Sequence, residues 1–276
     1  MTILHLPTVR QPAPIPRPAI ASASRGSPVL PDAVCNLVIG ALDDVSRVLV
    51  SAGVSANTIT ATCIGLGAVA GVLLGLGYFG LAGLVMIVAS LGDALDGLVA
   101  RRSGTVSVAG ALLDASGDRY QEFFFLTGLA VYFRASPALL VATLLALVGS
   151  FMVSYGSAKA EAFGVPVPPG VMRRAERAVC LCLATVLTVP WSWLIASTAL
   201  PVWASSLPVA DLPLLVAISI IAVIGNVSAV GRLWTLGHAV SAGTVMRPKP
   251  NAPHRSEAYI SPEPLRLKAS DRSARP

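Results

Sequence analysis

Residues 57–101 read NTITATCIGLGAVAGVLLGLGYFGLAGLVMIVASLGDALDGLVAR. This stretch holds two apolar runs, residues 57–77 and 80–101, with a short break between them. Each run has the length of about 20 residues that an α-helix needs to cross a hydrocarbon core of about 30 Å. The stretch therefore predicts two antiparallel membrane-spanning helices, and the second of them contains Asp93 and Asp96.

The composition of the whole chain agrees with this interpretation. Of the 276 residues, 54% are apolar and only 12% are charged, whereas a soluble domain carries about 25% charged residues. These values exclude a soluble globular protein, a disordered chain and a secreted disulfide scaffold. Four further apolar stretches follow, at residues 108–133, 137–160, 178–200 and 212–235. The predicted fold class is an all-α integral membrane protein with about six transmembrane helices.

A shorter and more polar segment precedes these stretches. Residues 33–52 carry Asp43, Asp44 and Arg47 among apolar residues. Such a mixture is typical of an amphipathic helix that lies in the membrane interface instead of crossing the bilayer. We therefore predict an N-terminal interfacial helix.

The two ends of the chain account for its basic character. The net charge of +6 divides into +3 for residues 1–31, −1 for residues 32–245 and +4 for residues 246–276. Both ends are also rich in proline, which suits extended segments. We predict a basic, proline-rich disordered arm, a membrane domain and a basic disordered tail over these three ranges. A nucleic-acid partner is not predicted, because the excess charge lies in the tails.

The loops between the predicted spans differ in their basic residues. Lys and Arg are concentrated next to residues 102–107 and 161–177 and in the C-terminal tail, whereas the opposite loops contain only Arg134. Because cytoplasmic loops carry an excess of Lys and Arg, we predict a multi-pass protein of the cell membrane with both termini in the cytoplasm.

Acidic residues are concentrated in two consecutive spans. A charge inside a span costs about 2.5–3.5 kcal/mol and marks a functional site by default. Asp93 and Asp96 are three residues apart and Asp114 and Asp118 are four apart, so each pair shares a helix face. The two helices are predicted neighbours, so the four carboxylates can converge near the cytoplasmic end. Oxygen ligands of this kind suit Mg²⁺ or Mn²⁺, and we predict a two-metal site.

Small residues flank these carboxylates. Gly97 and Ala100 follow the first pair, Arg101 comes next, and Gly110 precedes the second pair by one turn. Metals that bridge phosphate oxygens, a nearby arginine and a slot without bulky side chains indicate binding of a nucleoside diphosphate group and phosphoryl transfer. Helix packing is the alternative explanation for each glycine taken alone.

Residues 93–118 read DALDGLVARRSGTVSVAGALLDASGD. This run matches without a departure the signature of the CDP-alcohol phosphotransferase family, D-x2-D-G-x2-A-R-x8-G-x3-D-x3-D, and the chain resembles that family over about residues 33–240. The resemblance implies an enzyme of phospholipid biosynthesis. Such an enzyme transfers a phosphatidyl group from CDP-diacylglycerol to the hydroxyl of a small polar alcohol and releases CMP. It also implies a homodimer in the lipid bilayer.

The resemblance assigns roles to the four aspartates. Asp93, Asp96 and Asp114 would be the principal metal ligands, and Asp118 would complete the second metal site. Asp118 would also be the general base that deprotonates the acceptor hydroxyl, since a carboxylate beside a metal can take this proton.

The resemblance also assigns the donor site. Gly97, Ala100 and Gly110 would line the cytidine pocket, and Arg101 would contact the donor pyrophosphate. Asn57 resembles part of a family element at the start of the first span and would have a supporting role.

The acceptor is predicted from cations in the second half of the chain. The candidate acceptor-binding residues are Lys159, Arg173, Arg174, Arg177 and Arg232. Cations in this number favour an acceptor that carries its own phosphate, although cytoplasmic loops contain Lys and Arg for topology alone. The stretches SYGSAKAEAFGV and RRAER resemble the bacterial phosphatidylinositol-phosphate synthase branch, with Ser157 where that branch usually has lysine. Inositol phosphate is favoured, glycerol 3-phosphate is second, and serine or an unphosphorylated polyol stays open.

Two other classes of membrane protein use intramembrane aspartates. A cation-coupled transporter typically places them near the bilayer midplane, in broken helices or inverted repeats, and the sequence has neither. An intramembrane prenyltransferase carries two aspartate-rich elements that lie far apart in sequence. The four aspartates of this chain lie within 26 residues, which favours the phosphotransferase.

Overall fold

The computed structural model describes residues 32–165, 172–198 and 208–242 of the chain. All regular secondary structure in these ranges is helical. Seven α-helices follow one another in the order α1 Asp32–Ser51, α2 Ala56–Gly75, α3 Phe79–Ser103, α4 Val108–Tyr132, α5 Pro137–Ala162, α6 Arg174–Ala196 and α7 Leu212–Ser241. The predicted N-terminal arm and C-terminal tail lie outside the described residues.

The six predicted spans correspond to helices α2 to α7. The largest difference is at the end of α7, which continues to Ser241 instead of ending at residue 235. Helix α6 begins at Arg174, four residues earlier than predicted, because Arg173 and Glu176 form a capping box there. The predicted N-terminal helix is α1, and its interfacial position stays a prediction.

Five helices, α2, α3, α5, α6 and α7, are long and apolar enough to cross a membrane. Helix α4 is as long as α3, with 25 residues each, but it carries four charged side chains, Asp114, Asp118, Arg119 and Glu122, all within nine consecutive residues. It nevertheless packs between α2 and α5 in the bundle. The fold is therefore that of an all-α membrane protein, as the composition predicts.

A sharp turn joins the two aspartate-bearing helices. Helix α3 ends at Ser103, and the next residue, Gly104, has a φ of 69°, in the left-handed region that favours glycine. Helix α4 begins after Ser107, whose hydroxyl accepts a hydrogen bond from the amide of Gly110 at 3.0 Å. The chain reverses between these two residues, so the carboxylates at the end of α3 and at the start of α4 approach each other. The two helices, predicted as neighbours, both pack mainly against α2.

Glycines bring α2 and α4 into backbone contact. A Cβ atom at Gly71 would lie 2.5 Å from the carbonyl oxygen of Phe124, and one at Gly128 would overlap the carbonyl of Gly71. A Cβ at Gly67 would lie 2.9 Å from Cγ of Gln121. Small residues at such crossings are typical of membrane helices, whose association depends on close packing. These contacts fix α4 against α2.

The apolar core lies at the end of the bundle opposite the aspartates. Its fully buried large side chains come from α2, α3, α4 and α7: Leu74, Met86, Leu126, Leu129, Leu214 and Ile221. A few polar contacts close this end, among them the hydrogen bond from Trp191 Nε1 to the carbonyl of Val209 at 2.7 Å. The other half of the bundle, which contains the aspartates, is its polar half.

Helix α1 is held to this polar half by a buried ion pair. Arg102, at the end of α3, donates a hydrogen bond to Asp43 Oδ1 at 2.5 Å, and the side chain of Arg102 is 8% exposed. Asp43 also accepts a hydrogen bond from Arg47 at 2.7 Å. The N-terminal helix therefore packs against the end of the helix that carries Asp93 and Asp96.

The α2–α4 crossing can be tested with Gly128→Ala. The added methyl group overlaps the backbone of Gly71, so we expect overpacking to lower the free energy of unfolding by about 1–3 kcal/mol. The measurement is thermal unfolding in detergent. Gly65→Ala is the matched control, because nothing lies within 4 Å of a Cβ at Gly65, and replacing a mid-helix glycine by alanine stabilises by about 0.5–1 kcal/mol. Equal melting temperatures for the two variants would contradict the proposed contact.

Candidate active site

Three of the four predicted metal ligands lie together in the structure. Asp93 of α3 and Asp114 and Asp118 of α4 each offer a carboxylate oxygen, and these atoms lie within 4.8 Å of one another. The side chains of Asp93 and Asp118 are each 13% exposed. Asp93 Oδ1 is buried and has no hydrogen-bond partner among the described residues. A dense set of hard oxygen ligands fits Mg²⁺ or Mn²⁺.

Asp96 lies apart from this group of three. Its side chain is 4% exposed, and Oδ2 accepts a hydrogen bond from the hydroxyl of Thr60 at 2.5 Å. A separation of three residues on a helix leaves an angular offset of about 60°, and this offset turns Asp96 from Asp93 toward α2. The four carboxylates therefore do not meet at one point, and a metal-binding role of Asp96 stays a prediction.

A first cavity, of about 250 Å³, opens between α2, α3 and α4. The structure brings to it all five residues predicted to bind the donor: Asn57, Gly97, Ala100, Arg101 and Gly110. Asp96 and Asp114 also line this cavity, as does Thr60. The predicted donor residues thus share one cavity with two of the aspartates.

The glycines of this cavity leave the space that the sequence predicted. A Cβ atom at Gly97 would lie 3.3 Å from Nη1 of Arg101, and one at Gly110 would lie 3.6 Å from Oδ1 of Asn57. Neither glycine packs tightly against another helix backbone. Their contacts therefore differ from those of Gly71 and Gly128, which fill a helix crossing.

A second and larger cavity, of about 680 Å³, lies on the side of Asp118. Four of the five predicted acceptor cations line it: Arg173, Arg174, Arg177 and Arg232. Lys159 does not, because its ammonium group lies 5.7 Å from the ring centroid of Tyr155 outside the cavity. Since Asp114 lines the first cavity and Asp118 the second, the carboxylate group lies between the two cavities.

The arginines of the second cavity have different partners. Arg174 donates from Nη1 to Asp93 Oδ2 at 2.8 Å, and its Nη2 forms an ion pair with Asp118. Arg232 donates from Nη1 to the hydroxyl of Ser157, and its Nε is buried without a partner among the described residues. Arg174 is thus tied to the carboxylate group, whereas Arg232 is bound only by neutral groups.

Arg177 forms a buried structural pair with Glu122. The side chain of Arg177 is 2% exposed, and it donates from Nε and Nη2 to the two carboxylate oxygens of Glu122 at 2.5 and 3.0 Å. Nη1 donates to the carbonyl of Met172 at 2.7 Å. All three guanidinium nitrogens are therefore engaged inside the protein, whereas the sequence predicts Arg177 as an acceptor-binding residue.

Sequence reasoning missed two residues of the site. Thr60, the partner of Asp96, lies one turn after Asn57 on the same helix face, and this spacing is the signal that identifies it. Arg119 lines the second cavity and donates to the carbonyl of Ala115 at 2.5 Å. Its position beside Asp118 in the sequence gives no indication of which cavity it faces.

The fold and the site together define a class of protein: a helical membrane protein whose acidic group separates a cavity lined by small residues from a cavity lined by arginines. The family model of CDP-alcohol phosphatidyltransferases matches residues 54–210. The chain belongs to this family, which confirms the resemblance carried by residues 93–118.

The chain is similar to curated members of this family. It is 39% identical over 121 residues to the phosphatidylinositol phosphate synthase of Mycolicibacterium smegmatis, a match that covers 41% of this chain and 54% of the relative. It is 32% identical over 167 residues to that of Corynebacterium glutamicum, covering 58% of this chain and 76% of the relative. It thus spans about half of the first relative's length and three quarters of the second's.

Solved structures show the same fold. The Mycobacterium tuberculosis phosphatidylinositol phosphate synthase with CDP-DAG bound superposes with a TM-score of 0.59 at 26% identity, over 71% of this chain and 92% of that chain. A structure of the same enzyme in complex with manganese and citrate gives the same TM-score and identity, over 71% of this chain and 88% of that chain.

The buried pair of Arg177 and Glu122 gives a prediction about stability. Arg177→Met leaves a buried carboxylate without its cation, which costs about 3–5 kcal/mol, so we expect a large fall in melting temperature in detergent. The double variant with Glu122→Gln should recover part of the loss. The control is Arg47→Met, since Arg47 is 63% exposed and its loss costs about 1 kcal/mol or less. An unchanged melting temperature for Arg177→Met, with a raised acceptor KM, would favour the acceptor role instead.

Proposed function

We propose that this protein transfers a phosphatidyl group from CDP-diacylglycerol to the hydroxyl of a small polar alcohol and releases CMP, as a step of phospholipid biosynthesis. The observation that carries the proposal is the position of Asp93, Asp114 and Asp118 between a cavity lined by the donor residues and a cavity lined by arginines. A transferase that joins two polar substrates needs this arrangement, with one site on each side of the reacting group. Family membership and the CDP-DAG complex of the M. tuberculosis enzyme support it.

The carboxylates would hold Mg²⁺ or Mn²⁺ in a two-metal site. Asp93, Asp114 and Asp118 supply the close oxygen atoms, and Asp96 lies on the donor side of the same group. Bound cations neutralise the charge that develops on the phosphates and on the leaving CMP. The manganese complex of the M. tuberculosis enzyme supports this choice of metal.

The first cavity would bind the donor headgroup. Gly97, Ala100 and Gly110 leave room for the flat cytidine, and Asn57 offers a side-chain amide at its edge. Arg101 would pair with the pyrophosphate, since a guanidinium matches phosphate oxygens with two parallel hydrogen bonds. The acyl chains would extend into the lipid bilayer.

Asp118 would act as the general base. It is the member of the carboxylate group that lines the second cavity, where the acceptor would lie. The acceptor oxygen forms a bond to the phosphorus atom that carries the diacylglycerol, and the bond from this phosphorus to the CMP oxygen breaks. The hydroxyl proton passes to Asp118, and the released CMP takes the bonding electrons of the broken bond.

The acceptor would be an alcohol that carries its own phosphate, and inositol phosphate is favoured. Arg173, Arg232 and Arg119 line the second cavity without carboxylate partners in the described ion pairs, so their charge is available to an anionic acceptor. The phosphatidylinositol phosphate synthases among the relatives support this choice. Glycerol 3-phosphate is the second candidate, because Ser157 lies where that branch usually has lysine.

The proposal includes the cellular setting. The protein would lie in the cell membrane as a homodimer, with its active site and both termini at the cytoplasmic face. The concentration of arginines at the carboxylate end supports this orientation, because cytoplasmic ends carry the basic excess. Cation-coupled transport is not favoured, because the carboxylates lie near one end of the bundle.

The proposed reaction can be tested through Asp118→Asn. With CDP-diacylglycerol, Mg²⁺ and inositol 1-phosphate, we expect CMP release by the wild type and a loss of about 10²–10⁴-fold in kcat for the variant, the contribution typical of a general base. CDP should still bind to the variant. The control is Asp44→Asn, because Asp44 is 77% exposed on α1. Wild-type turnover by Asp118→Asn would show that Asp118 is not the general base.

The proposed acceptor can be tested through Arg232→Gln. Loss of a charge-assisted hydrogen bond of about 1.5–3 kcal/mol should raise the KM for the phosphorylated acceptor by about 10- to 100-fold and leave the KM for CDP-diacylglycerol nearly unchanged. Inositol 1-phosphate, glycerol 3-phosphate, inositol and serine are compared as acceptors. Lys159→Gln removes a cation outside the cavity and serves as the matched comparison. Equal rises in the KM values for the acceptor and for CDP-diacylglycerol would show that Arg232 has a structural role and does not bind the acceptor.

A further inference from the structure

Arg174 occupies oxygen atoms that the proposed metal ions need. Its Nη1 donates to Asp93 Oδ2 at 2.8 Å, and its Nη2 pairs with Asp118 Oδ1. Both aspartates belong to the group whose oxygens lie within 4.8 Å of one another. A guanidinium and a divalent cation on the same oxygens would repel each other strongly, because the site is largely shielded from water.

The neighbouring Arg177 differs from Arg174 in its burial and in its partner. Glu122 lies outside the three-carboxylate group, and Arg177 is 2% exposed with all three nitrogens bonded. Arg174 is 36% exposed and bonds to Asp93 and Asp118, which are also the proposed metal ligands. Both arginines lie on one face of α6, but only Arg174 pairs with carboxylates of the group that would bind a metal ion.

The second cavity offers Arg174 another position. Arg174 lines this cavity of about 680 Å³, together with Arg173 and Arg232. A guanidinium released from the aspartates would therefore add its charge to a region that already contains cations. This position becomes favourable when an anion binds there, since Arg matches phosphate and sulfate oxygens with paired hydrogen bonds.

We infer that Arg174 competes with the divalent cation for Asp93 and Asp118, and that metal binding transfers its guanidinium to the acceptor cavity, where it binds the anionic acceptor. This inference rests on the proposed function and adds an order to it. Arg174 balances the carboxylate charge before the metal binds, and the acceptor site is completed after it binds. Metal and anion then strengthen each other's binding by the same factor, as thermodynamic linkage requires.

The first test is a titration of the full chain in detergent with Mn²⁺. The EPR signal of the free ion measures how much Mn²⁺ is unbound. Arg174→Gln removes the competitor, so we expect its dissociation constant for Mn²⁺ to fall by about tenfold, within the range of 5- to 150-fold usual for coupled sites. Lys159→Gln is the matched control. It also removes one positive charge, but Lys159 lies outside the second cavity, next to the ring of Tyr155, and has no carboxylate partner in the described ion pairs.

The second test repeats the titration with sulfate, a tetrahedral dianion that binds Mn²⁺ weakly. In the wild type and in Lys159→Gln, sulfate should lower the Mn²⁺ dissociation constant by about fivefold or more, and in Arg174→Gln it should have no effect. Tighter metal binding by Arg174→Gln also shows that its site is folded. Arg174→Lys keeps the charge and should restore part of the competition.

The outcomes separate the inference from the function on which it rests. Equal Mn²⁺ affinity in all three proteins, an equal gain in both glutamine variants, or a sulfate effect that persists in Arg174→Gln would overturn the inference and leave the metal site standing. Absence of Mn²⁺ binding to the wild type and to both variants would overturn the proposed metal site, and the inference with it.

Discussion

Mutual repulsion of carboxylates is the constraint on which the structure of this site depends. Asp93, Asp114 and Asp118 hold their nearest oxygens within 4.8 Å of one another, and two unit charges 4 Å apart interact with about 4 kcal/mol at an effective dielectric constant of 20. The bundle must therefore bring cations to this point. Arg174 does so from α6 in the described structure, and divalent cations would do so in the working enzyme.

The carboxylates stay close because the backbone leaves them no room to separate. Helices α3 and α4 both pack against α2, α3 where Gly92 meets Cys63 and α4 where Gly71 meets Gly128. Thr60 then holds Asp96 on the side of the first cavity. Since helices in close backbone contact cannot shift without overlap, the positions of the aspartates follow from residues that have no charge at all.

The sequence predicts well the helices and the set of residues that line the first cavity, because both depend on short-range patterns. The length of an apolar run fixes a span, and Gly97, Ala100 and Gly110 reach one cavity because the period of the helix places them on the inner faces. The separation of Asp96 from Asp93 follows from the same period, but its significance depends on Thr60, which belongs to another helix. The partners of Arg174, Arg177 and Lys159 depend on side-chain directions across helices, and no pattern along the chain encodes them.

Helix α4 gives two arginines of α6 a structural role. A charge inside a membrane span costs about 2.5–3.5 kcal/mol, and α4 carries Asp118 and Glu122 one turn apart. Arg174 and Arg177, also one turn apart, pair with these two acids. The pairs lower the cost of placing α4 in the bilayer, and α4 is the one predicted span that is not among the five helices apolar enough to cross a membrane. The same spacing therefore gives two different pairs: Glu122 lies outside the three-carboxylate group and keeps Arg177 buried, whereas Asp118 belongs to that group and would bind a metal ion in place of Arg174.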